Sequence, residues 1–489
     1  MDQSNQRMGR AALLFLPSKV LEGLIGVVTI SYTASALSYD AYERFNSTNT
    51  VVVFANLLLL GWLINSTTRY VGDYAGEPGK ARRFYSTQTV LWMLPNLLVL
   101  AAAAIIWAVT GSTVWLGAFC MLASTSLYQI VLGMLVQTQR QLASVVISLL
   151  TAVTKPAVIW LTCRYLSGGV EVDRILPAVL GYALSELLGG LLGVLVLKIP
   201  RYLRAGAWDR EILNRFIAYG VPLMGVSISV GLLNMLDRFI IMAFGMSYGV
   251  YHANNTITST VFSLLTVGIM RAVYPSVLSG YREGGKAQAQ PLLNAGVRMY
   301  LLIALPAATG MAGVAENLSR FLYPTKPELV AGYAVIALSG FAMFFSGLNE
   351  YAIKTWELRQ DTKPIMVNAL IAVGVKLASS LVLLPVLDFY GAAAGSLIGF
   401  MTYCGLSMFR ARKTLLFKVT PRTLVSIGIG SVLCAVCANL TTRLITGNTL
   451  GLLCAIAVGV IVYALTLLVS GEVKEELAAV VRLIKHRRV

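Results

Sequence analysis

Leu150–Trp160 reads LTAVTKPAVIW, an apolar run with Lys155 at its centre, and Ile371–Leu381 (IAVGVKLASSL) holds Lys376 in the same way. Both runs belong to apolar stretches long enough to cross a bilayer, and about fourteen such stretches follow one another along the chain. A lone ammonium at mid-bilayer costs roughly 2.5–3.5 kcal/mol or more, so it is tolerated where it faces a wet cavity or a partner. Several such charges in one chain predict a polar, cationic path through a membrane. That in turn points to the movement of an anion.

Working outward from these two lysines, composition says the same. Only 12% of the 489 residues are charged and 57% are hydrophobic, against roughly 25% charged in an ordinary soluble domain. The expectation is an all-α polytopic membrane protein with about 14 transmembrane helices. The longest polar connections are about 15–25 residues, too short for a soluble catalytic domain. The first run, 11–37, is too long for a signal core and carries Lys19 and Glu22, so it is read as an uncleaved first span. All six cysteines lie in apolar segments, and Cys434-x-x-Cys437, within a span, lacks the His or further Cys neighbours of a metal site.

The net charge of +17 is placed by topology. With the N-terminus inside, about 27 of the 39 Lys and Arg fall in inner loops and tails. Every even-numbered turn contributes, from Lys80, Arg82 and Arg83 to Arg410–Lys413. This predicts a multi-pass membrane protein with both termini cytoplasmic. Nucleic acid is not an expected partner.

The chain also repeats itself. Ser38-Tyr39-x-x-Tyr42-x-x-x-Asn46 recurs as Ser247-Tyr248-x-x-Tyr251-x-x-x-Asn255. Gly79-Lys80 has a counterpart in Gly285-Lys286, Arg140-Gln141 in Arg359-Gln360, and Lys155 in Lys376. An even number of spans per repeat keeps the same membrane orientation, so two parallel six-helix bundles are expected, with a cavity between the halves that opens alternately to either side. The expected divisions are 1–198 (first lobe), 199–213 (basic cytoplasmic linker), 214–412 (second lobe), 413–471 (two further spans) and 472–489 (a surface-lying amphipathic tail).

At Pro17-Ser18-Lys19-Val20-Leu21-Glu22-Gly23, the Leu37–Tyr42 turn and Asp237-Arg238, the sequence resembles the Wzx-type polysaccharide flippases. These belong to the multidrug/oligosaccharidyl-lipid/polysaccharide exporter superfamily. The resemblance implies transfer of an undecaprenyl-pyrophosphate-linked oligosaccharide from the cytoplasmic to the outer leaflet. It also implies two lobes around a cationic cavity, membrane lipids as surroundings, and polysaccharide polymerase and assembly proteins as partners.

The residues fit such a cargo independently. A pyrophosphate brings about two negative charges, and desolvating them calls for fixed cations. Lys155 and Lys376, with no acidic residue one turn away, are the leading substrate ligands; Lys19, Arg69, Arg238 and Arg271 are further candidates. For Arg69 and Arg271, near cytoplasmic span ends, the alternative is a positive-inside anchor. Glu22, Glu186, Asp237 and Glu350 are candidates for charge pairing or for coupling to H+ or Na+. Glu186 can partner Lys155, and Lys19/Glu22 and Glu350/Lys354 are spaced to share a helix face. No cofactor or metal is expected.

The competing readings are a cation-coupled multidrug exporter, a lipid II flippase and a membrane glycan polymerase or ligase. Basic mid-span charges argue against drug cations. The lipid II flippase shares the cargo logic and the span number, but its first-span pattern is not seen here. Short outer loops argue against an enzyme. Without a G-x-x-x-x-G-K-[ST] loop, ATP does not drive the chain directly.

Overall fold

The computed structural model describes residues 21–166, 175–204, 206–445 and 448–472. Among them there is no strand. Lys19, the linker's Ala205 and all of the expected tail beyond Glu472 lie outside the described residues, and so does the side chain of Arg271.

The helices are α1 (Leu21–Ala36), α2 (Tyr39–Tyr74), α3 (Pro78–Thr110), α4 (Val114–Gln137), α5 (Gln141–Leu166), α6 (Ile175–Val196) and α7 (Arg210–Ala243). They continue with α8 (Tyr248–Gly313), α9 (Ala315–Leu322), α10 (Pro327–Val330), α11 (Ala334–Ala352), α12 (Lys354–Leu358), α13 (Lys363–Leu387), α14 (Phe389–Ala411), α15 (Pro421–Leu444) and α16 (Asn448–Ser470). Among the described residues twelve helices are long and apolar enough to span a membrane, α11 and α12 counting as one. The 66-residue α8 is one of the twelve, yet it is not one span. Gly284 and Gly285 leave helical geometry, with φ −140° and +61°, and the second of these is a conformation that favours glycine. The bend falls on the basic Arg282–Lys286 turn, so α8 supplies two spans. Adding α1, shorter but also apolar, gives the number expected from hydropathy: six helices to α6, six from α7 to α14, then α15 and α16.

Local chemistry sets the helix ends. Ser38 caps α2 by accepting from the Ala41 N–H, and Asp209 caps α7 by accepting from the Glu211 and Ile212 N–H groups. Thr420 caps α15 ahead of Pro421, whose missing N–H costs nothing at a first helical position. Gly111 closes α3 in the left-handed region at φ +70°.

The chain divides into two compact units, Met1–Gly249 and Val250–Val489. This boundary falls after α7, later than the linker, because α7 packs along α2. In the first unit α4, α5 and α6 form the tightest group. In the second, α14 packs on both α13 and α11, and α15 pairs with α16. Small residues make these approaches possible. A Cβ at Gly181 would strike Ile159 and Thr162 of α5, and one at Gly395 would strike Ser380 of α13. The core of the second unit gathers around Tyr300, Phe344 and Tyr351.

The internal repeat is visible unit by unit. The turn before α5 is closed by Gln139 at φ +60°, and the turn before α13 by Gln360 at φ +58°. These two left-handed residues are 221 positions apart, the same offset that relates Lys155 to Lys376. The backbone therefore aligns Gln139 with Gln360, two residues away from the Arg140/Arg359 match suggested by sequence.

Candidate functional site

In the first unit α5 carries Lys155 next to Pro156, inside the helix. Proline cannot donate to the carbonyl one turn back, so the helix there is locally loosened and more polar. Opposite, α6 presents Tyr182 and Glu186, four residues apart and therefore on one face. Lys155 Nζ lies 2.9 Å from Glu186 Oε1 and 3.7 Å from the centre of the Tyr182 ring. The other carboxylate oxygen accepts from Thr125 Oγ1 of α4. Side-chain exposure is 18% for Lys155 and 6% for Glu186. Lys155 is thus a neutralised, caged cation: no acidic residue lies one turn away on α5, and Glu186, weighed as its partner from the sequence, stands opposite it on α6. Its partner lies 31 residues away on another helix, beyond any one-turn spacing rule.

Two turns earlier on α5, Ser148 donates to Glu22 of α1. Glu22 and Glu186 are therefore joined to the same helix through two different side chains. Asp237 of α7 is buried, while Arg238, its neighbour in sequence, is half-buried on another face with no hydrogen-bond partner for its Nε among the described residues. Arg69 is exposed near the end of α2 and rests over Tyr70, 5.6 Å from the ring centre. The repeated tyrosine motif is structural. Tyr39 donates to Glu43, Glu43 accepts the Gly249 N–H at 2.9 Å, and Tyr248 shares a hydrogen bond with Thr50.

In the second unit Lys376 of α13 is almost fully buried, at 1% exposure. Its Nζ is 5.7 Å from the centre of the Phe400 ring of α14, and a Cβ at Gly399 would come within 2.7 Å of the Lys376 Cβ. Where α11 passes into α12, Lys354 sits between two carboxylates, 3.5 Å from Glu350 and 2.7 Å from Glu357. Tyr274 adds its ring face at 5.1 Å. The Glu350/Lys354 spacing foresaw half of this cluster. Glu357, three residues after Lys354 and on the short α12, was readable by the same rule but was not singled out, and neither were Thr125 and Tyr182.

Such an arrangement can hold charge inside a bilayer and exchange it for the charge of a cargo or an ion; no covalent chemistry is suggested by it. Among the described residues no group of His, Cys, Asp and Glu could hold a metal ion.

The family model described as "Lipid II flippase MurJ" matches residues 50–459. The chain belongs to the lipid II flippase MurJ family. A probable lipid II flippase MurJ of Haemophilus influenzae is 26% identical over 253 residues, 47% of this chain and 49% of that protein. The chain therefore spans about half the length of the curated relative it matches. Among solved structures, a lipid II flippase MurJ in an inward closed conformation superposes with TM-score 0.70 over 96% of this chain and 99% of that one, at 15% identity. An inward-facing multidrug resistance MATE transporter of the MOP superfamily superposes with TM-score 0.56 over 82% and 97%, at 14% identity. At these identities the likeness is one of fold. The fold of the superfamily expected from sequence is thereby shown. Within it, the match is to the MurJ family, where the motifs suggested the Wzx type. The match begins at residue 50, past α1, and α1 is where the MurJ pattern was sought.

Proposed function

We propose that this MurJ-family chain flips a polyprenyl-pyrophosphate-linked glycan from the cytoplasmic to the outer leaflet of a bacterial inner membrane. Lipid II, the alternative weighed from the sequence, is the cargo best supported. The observation that carries this reading is the family match across residues 50–459. The buried cations supply a chemistry that suits it. Lys376 is held deep in α13, and Lys155 is held in reserve against Glu186. A diphosphate losing its water needs charge-assisted donors, and lysine provides them as a compact cation. Exchange of Glu186 for a phosphate at Lys155 would leave a carboxylate free to take up H+ or Na+, a route to coupling without ATP. The bias of Lys and Arg toward the even-numbered turns supports cytoplasmic termini.

The test is depletion of the protein in its own cells, followed by identification of the lipid-linked glycan that accumulates on the inner leaflet. Build-up of the peptidoglycan precursor is the expected result. Build-up of a different lipid-linked repeat unit would favour the Wzx-type reading, which the Leu37–Tyr42 and Asp237-Arg238 motifs support. No accumulation of either would end the proposal.

A further inference from the structure

The second unit contains a polar recess that none of the candidate residues above touches. Two adjoining cavities, about 320 and 360 Å³, share Glu316, Arg320 and Tyr333. The second is completed by Asn317 of α9 and by Asn439 and Arg443 of α15. Each is of the size that holds a small organic ligand.

The segment forming the walls is anchored. Ser319 donates to the side-chain carbonyl oxygen of Asn254 at 2.9 Å, and the amide of Asn254 donates to the Leu329 carbonyl at 2.7 Å. Tyr323 donates to the Ala253 carbonyl at 3.0 Å, and Asn439 donates to the Gly313 carbonyl at 2.9 Å. Gly332 lies so close to Val250 that a Cβ would collide with its side chain. These bonds fix α9 and α10 on α8, so the recess is formed before any ligand arrives, and little ordering remains to oppose binding.

Charge and shape then limit the occupant. Arg320 is bound twice by one Glu316 oxygen, through Nε at 3.1 Å and Nη2 at 2.7 Å, so this pair is neutral and offers its remaining donors and acceptor. Arg443 is exposed and has no ion-pair partner among the described residues. The lining therefore carries one net positive charge, flanked by the amides of Asn317 and Asn439 and by the exposed ring of Tyr333. A planar guanidinium binds carboxylate or phosphate through two parallel bonds. Amides hydrogen-bond to hydroxyls, and a tyrosine face covers the C–H surface of a sugar.

We propose that this recess binds an anionic sugar, a hydroxylated ring bearing one carboxylate or phosphate, at the membrane face opposite the basic turns. That it receives the glycan head of the translocated lipid rests on the flippase reading; the binding itself does not.

The test uses the purified full chain in detergent, titrated with glucuronate, glucose 1-phosphate, glucose and inorganic phosphate, with binding read by thermophoresis. Glucuronate and glucose 1-phosphate should both bind, each at least about tenfold more tightly than glucose or inorganic phosphate. Arg443→Gln, at an exposed position where folding is not at stake, should weaken both sugar acids about tenfold. Tyr333→Ala should weaken the sugar acids and leave inorganic phosphate unchanged. Equal binding of inorganic phosphate would mean that the site reads charge alone, and equal binding of glucose would mean that charge is not read; either overturns the proposal. So does undiminished binding by Arg443→Gln. Should depletion cells accumulate no lipid-linked glycan while these titrations behave as expected, the flippase reading falls and the sugar site stands.

Discussion

The helix pairs α5/α6 and α13/α14 are built to one plan and surround their lysines differently. In each, a lysine sits at the same distance from a left-handed glutamine, and a glycine of the second helix seats the pair, Gly181 against Ile159 and Gly395 against Ser380. Ile159 and Ser380 stand 221 positions apart, as the two lysines do. Five residues beyond the seating glycine lies Glu186 in α6 and Phe400 in α14. One lysine of the duplicated pair therefore meets a carboxylate across its own hairpin, and the other meets a phenyl ring there. Duplication preserved the packing, which depends on small residues at fixed spacing, while the surroundings of the charge diverged at this contact position. The lesson is that matched lysines in a repeat can keep the same seat on a helix and still face different side chains at one matched position.

This contrast can be broken at several points. The largest effect is expected at Lys155→Ala. It strands Glu186 as a buried, unpaired charge, which costs about 3–5 kcal/mol. Thermal unfolding of the purified protein should show the loss, and Lys155→Met combined with Glu186→Leu should regain most of it. A double variant as unstable as the single one would mean that the pair is not what stabilises this hairpin.

Next in size is Lys376→Ala, expected to lower flipping about a hundredfold, the scale of losing a buried charge-assisted contact to cargo. Phe400→Glu should act alike, by setting a carboxylate where Lys376 now meets a ring. Membrane insertion of both should be normal by fractionation. Wild-type flipping by both would remove Lys376 from the mechanism.

Smaller is the effect of overfilling the seats. Gly181→Leu and Gly395→Leu should each cost about 1–3 kcal/mol, and by similar amounts, because the two approaches are equally tight. A large cost at one and none at the other would show that the packing has diverged too. The smallest change in stability, about 1–2 kcal/mol, is expected for Glu186→Gln, which keeps an acceptor for Thr125 but not the charge. Its informative readout is flipping under imposed proton or sodium gradients. Activity equal to wild type at every gradient would rule out coupling through Glu186.

Much of the architecture was readable from periodicity. Apolar length located the spans, the basic turns located the bend in α8, and the recurring Ser-Tyr-x-x-Tyr turn exposed the duplication. The candidate site was read less well. Spacing rules reach neighbours three or four residues apart, so Glu350 and Lys354 were paired in advance. The same rules say nothing about Thr125, which reaches Glu186 across 61 positions of chain. The finer family was not legible in the first span, since the family match begins after it.

Hydrophobicity and charge act additively along a chain, and for that reason span number, helical class and the membrane face of each turn followed from the order of residues. Which side chain each ammonium meets on the neighbouring helix depends on the rotation of each helix about its axis. Packing of glycines and threonines between helices sets that rotation, so it was decided only when the bundles were assembled.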